Sequence, residues 1–159
     1  MFGKRAEEAT TKELHQIHDF GTYIPQDDKL FSREERPKAL SALMFIYENR
    51  NGVVKARTCA MVSKQRTFPG YVKSEWASTT VYKDGVIITS TIEYHEGCDV
   101  AVIDLPNAFL NADNNEQTLM LLKGKLAELM VNNDPKMYWK HIIMSPKGEQ
   151  MLYVRLSKA

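Results

Sequence analysis

The sequence predicts an α+β fold. Three observations carry that expectation. Residues 6–19 place Ala6, Ala9, Leu14 and Ile17 among polar neighbours at helical spacing. Asn51-Gly52 stands between two apolar runs, the strongest local hairpin signal in the chain. Strand-length apolar runs recur at 100–103, 118–122 and 150–156. With 159 residues the chain can bury one domain core, and 43% hydrophobic with 26% charged residues excludes global disorder. A formal net charge of +1 argues against a uniformly basic nucleic-acid binder but leaves room for a locally basic groove.

Taken in order, the first helix covers 6–19, with Thr10 or Thr11 able to cap its second half, and Gly21 ends it. Tyr23-Ile24-Pro25 is extended and precedes the polar stretch Gln26–Lys29. Ser32-Arg-Glu-Glu35 is a capping-box pattern that predicts a short helical turn near Pro37. Leu43–Glu48 and Val53–Met61 form the hairpin strands around Asn49-Arg-Asn-Gly52. Strand alternation puts Lys55 and Arg57 on one face and Val54 and Ala56 on the other. Lys64, Arg66 and Lys73 follow, a charge run that a solvated hairpin end would also explain. Pro69-Gly70 makes 65–70 a loop.

Residues 81–96 present a conflict. Val86, Ile87, Ile88, Thr89, Thr91 and Ile92 favour a strand by propensity, whereas Val81, Ile88, Ile92 and His95 also fit a helical period. Gly97 would stop such a helix, with Gly85 near its start. The run Val100–Ile103 is apolar on both faces, which predicts a strand buried on both sides with Asp104 at its exit. There Asp104 could meet a divalent cation, or simply cap the following turn. Pro106 and Asn107 open a short turn or helix holding Ala108, Phe109 and Leu110, and 113–116 is a polar loop. A strand at 118–122, a helix at 126–131 and a helix from Pro135 to Lys140-His141 follow. Ser145-Pro-Lys-Gly148 then turns into a final strand, 150–156, which is expected either to pair within a missing part of the sheet or to leave an edge exposed.

Asp104-x-x-x-Ala-Phe-Leu-Asn111 resembles the first palm motif of copia-type retrotransposon reverse transcriptases. Lys55-Ala-Arg57 resembles the fingers motif of the same family, and Lys12-Glu-Leu-His-Gln-Ile-His18 with Gly21-Thr-Tyr-Ile-Pro25 resembles its lead-in. Ala127-Glu-Leu-Met130, Asp134-Pro and Leu152–Ala159 continue the likeness, which covers most of 12–159. It implies residues 1–36 as an N-terminal helix and lead-in, and 37–159 as a partial fingers and palm domain with helices on one side of the sheet. It also implies that 81–96 is helical.

The implied activity is RNA-directed DNA synthesis, a nucleotidyltransferase reaction on an RNA/DNA primer–template with dNTP and Mg2+. The resemblance assigns magnesium to Asp104, the sugar gate to Phe109, and the triphosphate to Lys55 and Arg57. Leu105, Asn107 and Ala108 would line the triphosphate pocket through their backbone. Val62 stands where the family has glycine, Ala77-Ser-Thr-Thr80 lacks the family's proline, and Asn107 replaces a glycine or small polar residue. The family's Tyr-x-Asp-Asp is absent, the only Asp-Asp being Asp27-Asp28. Two-metal phosphoryl transfer needs several converging carboxylates, so the expectation is a fragment inactive alone. A non-enzymatic nucleic-acid- or partner-binding module is the alternative. A further polypeptide, such as the remainder of a polyprotein, would be needed to supply the missing aspartates.

Other chemistries find less support. Cys59 and Cys98 give no disulfide framework, and with His15-x-x-His18 they lack the paired spacing of zinc modules. Gly-x-Ser-x-Gly, Gly-x-Gly-x-x-Gly and phosphate-loop patterns are missing. Trp76, Tyr138 and Trp139 could stack on bases or equally fill a core or interface. No secretory signal opens the chain, and its longest apolar run, 39–47, is too short to span a bilayer, so a soluble cytoplasmic or nuclear protein without membrane contact is expected.

Overall fold

The computed structural model of the chain describes residues 3–61 and 80–158. The expectations for Val62, Lys64, Arg66, Lys73, Trp76, the 65–70 loop and 77–79 lie outside those residues. Helix α1 (Gly3–Asp19) is followed by β1 (Tyr23–Pro25), the hairpin β2 (Leu40–Glu48) and β3 (Val54–Ala60), and helix α2 (Lys83–Glu96). The short helix α3 (Ala108–Asn111), β4 (Leu119–Lys123), α4 (Lys125–Asn133), α5 (Pro135–Tyr138), β5 (Ile142–Met144) and β6 (Gln150–Leu156) complete the order. The fold is α+β.

One six-stranded sheet runs β1-β6-β4-β2-β3, with β5 sharing the β1 side of β6. Alternation along its central strands separates two faces. Met120, Leu122, Leu152 and Val154 point to one face, where Leu14 and Ile17 of α1, Ala127 and Met130 of α4 and Tyr138 of α5 complete the main core. Leu121 and Tyr153 point to the other, where Ala39 and Phe31 give a much smaller cover. Helices α1, α4 and α5 therefore lie on one side of the sheet. The final strand does not leave an open edge: β6 is flanked by β4 on one side and by β1 and β5 on the other.

Local signals hold where they are strong. Ser32 and Glu35 close the expected capping box reciprocally, at 2.8 and 3.2 Å. The hydrogen bond donated by the Ser32 amide, helped by the nearby Ser32 hydroxyl, draws the exposed Glu35 carboxyl below the usual range. Residues 83–96 are helical. Thr89 and Thr91 turn their hydroxyls back to the carbonyls of Gly85 and Ile87, each at 2.8 Å, which accommodates β-branched residues in a helix. Gly97 ends α2 at φ 70°, and the Cys98 amide reaches the Glu93 carbonyl to satisfy the last turn.

The doubly buried strand before Asp104 is overturned. Residues 98–105 carry no regular secondary structure, and Val102 and Ile103 are 96% and 79% exposed. A strand apolar on both faces needs hydrogen-bonded neighbours and cover on both sides. Among the described residues, both flanks of β6 are already occupied and β4 is enclosed between β6 and β2. Among the described residues nothing covers helix α2, and Val86, Ile87, Ile88 and Ile92 are all exposed.

Candidate nucleic-acid interface

Only Leu40 and Ser41 of β2 pair with β4; from Ala42 outward the strand pairs with β3. The hairpin thus projects from the sheet as a two-stranded arm. Its loop, Arg50-Asn51-Gly52, is closed by the Gly52 amide on the Asn49 carbonyl and the Asn49 amide on the Val53 carbonyl, each 2.9 Å. Gly52 sits at φ 73°, the left-handed position that a three-residue loop of this kind requires and glycine adopts without strain.

That loop sets the register. Phe45 lies opposite Arg57 and Tyr47 opposite Lys55. Directly opposed residues share a face, so these four side chains form one surface, and all four are exposed. The opposite face is held by α1. There the Arg5 guanidinium donates to the Glu48 carboxylate at 3.0 Å and to the Gly52 carbonyl, while the Thr58 amide donates to Glu13 Oε1 at 3.0 Å. Among the described residues neither Lys55 nor Arg57 makes an ion pair, so both cations are available to an anion.

This surface combines two cations with two aromatic rings. Arg can grip phosphate oxygens with two parallel hydrogen bonds and Lys follows as a mobile charge. Aromatic rings at neighbouring positions offer faces on which unpaired bases stack. The sequence singled out Lys55 and Arg57; the hairpin register adds Phe45 and Tyr47 beside them. The alternation Phe45-x-Tyr47 is visible in the sequence; which face it occupies depends on the register of the hairpin.

The Asp104–Asn111 stretch is arranged differently. Asp104 lies in exposed, irregular chain, and no hydrogen bond or ion pair joins it to Lys55 or Arg57 among the described residues. Asn107 adopts φ 56° and ψ 35°, a left-handed conformation in which asparagine is among the few tolerated side-chain-bearing residues. Its carbonyl accepts from the Leu110 amide at 2.8 Å and from Asn111 Nδ2 at 3.2 Å, and this turn starts α3. Leu105, Ala108 and Phe109 are exposed around it, with Phe109 at the first turn of α3. Contiguity keeps these residues beside Asp104, and all of them are exposed.

Among the described residues no group of three His, Cys, Asp or Glu side chains is placed to hold a metal ion. Asp113, the nearest carboxylate in sequence after Asp104, is engaged by Lys158 at 2.6 Å, and that contact holds its carboxyl below the usual range.

The chain matches no family model, and neither a curated protein nor a solved structure is similar to it. The geometry of the hairpin and the motifs therefore carry the functional argument. No helix among the described residues is long and apolar enough to cross a membrane.

The remaining candidates are structural. His15 Nδ1 donates to Asn133 Oδ1 at 2.7 Å, and His18 Nδ1 lies 3.0 Å from the Tyr138 hydroxyl. Tyr138 fills the core, whereas Trp139 is exposed.

Proposed function

We propose that this chain is a nucleic-acid-binding module built from the fingers and first palm part of a copia-type reverse transcriptase, without polymerase activity of its own. The observation that carries this reading is the open hairpin face, where Phe45, Tyr47, Lys55 and Arg57 stand side by side. Phosphate contacts supply affinity and aromatic stacking supplies tolerance of sequence, the combination used for unpaired template. The resemblance of Lys55-Ala-Arg57 and Asp104–Asn111 to the family's motifs supports the same assignment. Asp104 alone cannot hold two magnesium ions, so primer extension is not expected.

The test is titration of the purified chain with a labelled RNA–DNA primer–template at two salt concentrations, with magnesium and all four dNTPs present. Salt-dependent binding without extension is the expected result. Extension by the pure chain, or binding insensitive to salt, overturns the reading.

A second reading is favoured by the uncovered apolar surface of α2 and Val100–Phe109. On this reading a further polypeptide covers that surface and brings the missing carboxylates to Asp104. Extension restored by adding a palm polypeptide that carries Tyr-x-Asp-Asp would support it; no restoration at saturating partner would count against it.

A further inference from the structure

The hairpin that carries the interface is poorly supported by the sheet. Beyond Ser41 it is two-stranded, and an isolated two-stranded hairpin is marginal in water. Its support comes from α1. One end of this helix is anchored in the main core by Leu14 and Ile17, while Arg5, about 14–18 Å away along the axis, reaches the hairpin tip at Glu48 and Gly52. Between them Glu13 meets the outer edge of β3. The Thr58 amide points away from β2, and an edge-strand amide of this kind has no ladder partner. Glu13 Oε1 accepts it at 3.0 Å in a half-buried setting. Thr58 directly follows Arg57.

We propose that Glu13 is a positioning residue for the Lys55–Arg57 grip. It fixes the β3 edge through the Thr58 amide, with Arg5 steadying the tip, so that α1 acts as a strut between the core and the binding face. Glu13 faces the side of the hairpin opposite to Lys55 and Arg57 and does not touch the ligand. This inference rests on the nucleic-acid reading of that face.

A carboxylate near a polyanion site normally weakens binding, so removing it should tighten the complex. Positioning predicts the reverse sign, and only where the hydrogen-bond acceptor is lost. Glu13→Ala and Glu13→Gln remove the same charge, but the glutamine amide oxygen can still accept from Thr58. The experiment compares these variants with the wild type and the Lys55→Ala/Arg57→Ala double variant. Each is titrated with a fluorescent single-stranded oligonucleotide, and hydrogen exchange is followed at the hairpin amides. Thermal midpoints recorded alongside separate a local effect from global unfolding.

The expected result is that Glu13→Ala binds about three- to tenfold more weakly with faster exchange at Thr58 and its neighbours, while Glu13→Gln stays near the wild type. Equal tightening in both Glu13 variants, or affinity and exchange unchanged in Glu13→Ala, overturns the proposal. Undiminished binding by the Lys55→Ala/Arg57→Ala variant overturns the site itself. A weakened double variant beside an unaffected Glu13→Ala overturns the positioning role alone.

Discussion

Phe45 faces Arg57 directly across the β2–β3 hairpin, so an aromatic ring and a guanidinium share one open surface. The pair separates the two components of nucleic-acid affinity. Phe45→Ala should weaken binding of a single-stranded oligonucleotide by about 1–3 kcal/mol while leaving its salt dependence unchanged. Lys55→Ala with Arg57→Ala should instead flatten the dependence of log K on log salt by about 1.5, two phosphate contacts' worth. Titrations of each variant across a salt series check both outcomes, and a changed slope in Phe45→Ala would refute the division.

Tyr138 is wholly buried, and its burial, helped by the charge of Asp134, pushes its hydroxyl up to about 12. An acid whose folded pKa lies above its unfolded value of 10.0 favours the fold fully below pH 10.0, and that contribution is lost as pH rises through about 12. Stability should therefore fall across this alkaline window. Tyr138→Phe should shallow the fall, because the substituted ring no longer ionises. Tyr23 keeps part of it, since burial raises its hydroxyl as well. At neutral pH the same substitution forfeits the contact with His18 and should cost about 1–2 kcal/mol, measured by urea unfolding.

Leu122 has no exposed surface and sits at the centre of the face covered by α1, α4 and α5. Leu122→Ala should destabilise the chain by about 2–5 kcal/mol through lost burial and the cavity left behind. Leu30 is 72% exposed, and Leu30→Ala should stay within about 0.5 kcal/mol of the parent. Chemical denaturation of the two variants, compared at equal m-values, distinguishes a core position from a surface one.

Gly124 precedes α4 with φ 54° and ψ −127°, a conformation open in practice to glycine alone. A methyl group built there meets nothing within 4 Å, so Gly124→Ala isolates backbone strain from steric clash. A loss of about 1–3 kcal/mol in thermal or urea unfolding is expected.

Much of this was fixed by local sequence. Glycines at 52 and 97, the Ser32–Glu35 capping box, and the apolar periods of α1, α4 and β6 act through neighbours a few residues apart, so each could be read without the fold. Lys55 and Arg57 share a face for the same reason, because alternation along a strand is local.

What joined them was not local. A two-residue turn at Asn51-Gly52 would shift the hairpin register by one, and the two cations would then face Ile46 and Glu48 in place of Phe45 and Tyr47. The three-residue loop puts the aromatic residues beside the cations. The fate of Val100–Ile103 was likewise a tertiary matter: its composition asks for a buried strand, but a strand forms only where a neighbour offers hydrogen bonds and cover. In this sheet both flanks of β6 are occupied, and the apolar Val100–Ile103 run joins no strand and stands exposed with Asp104 beside it.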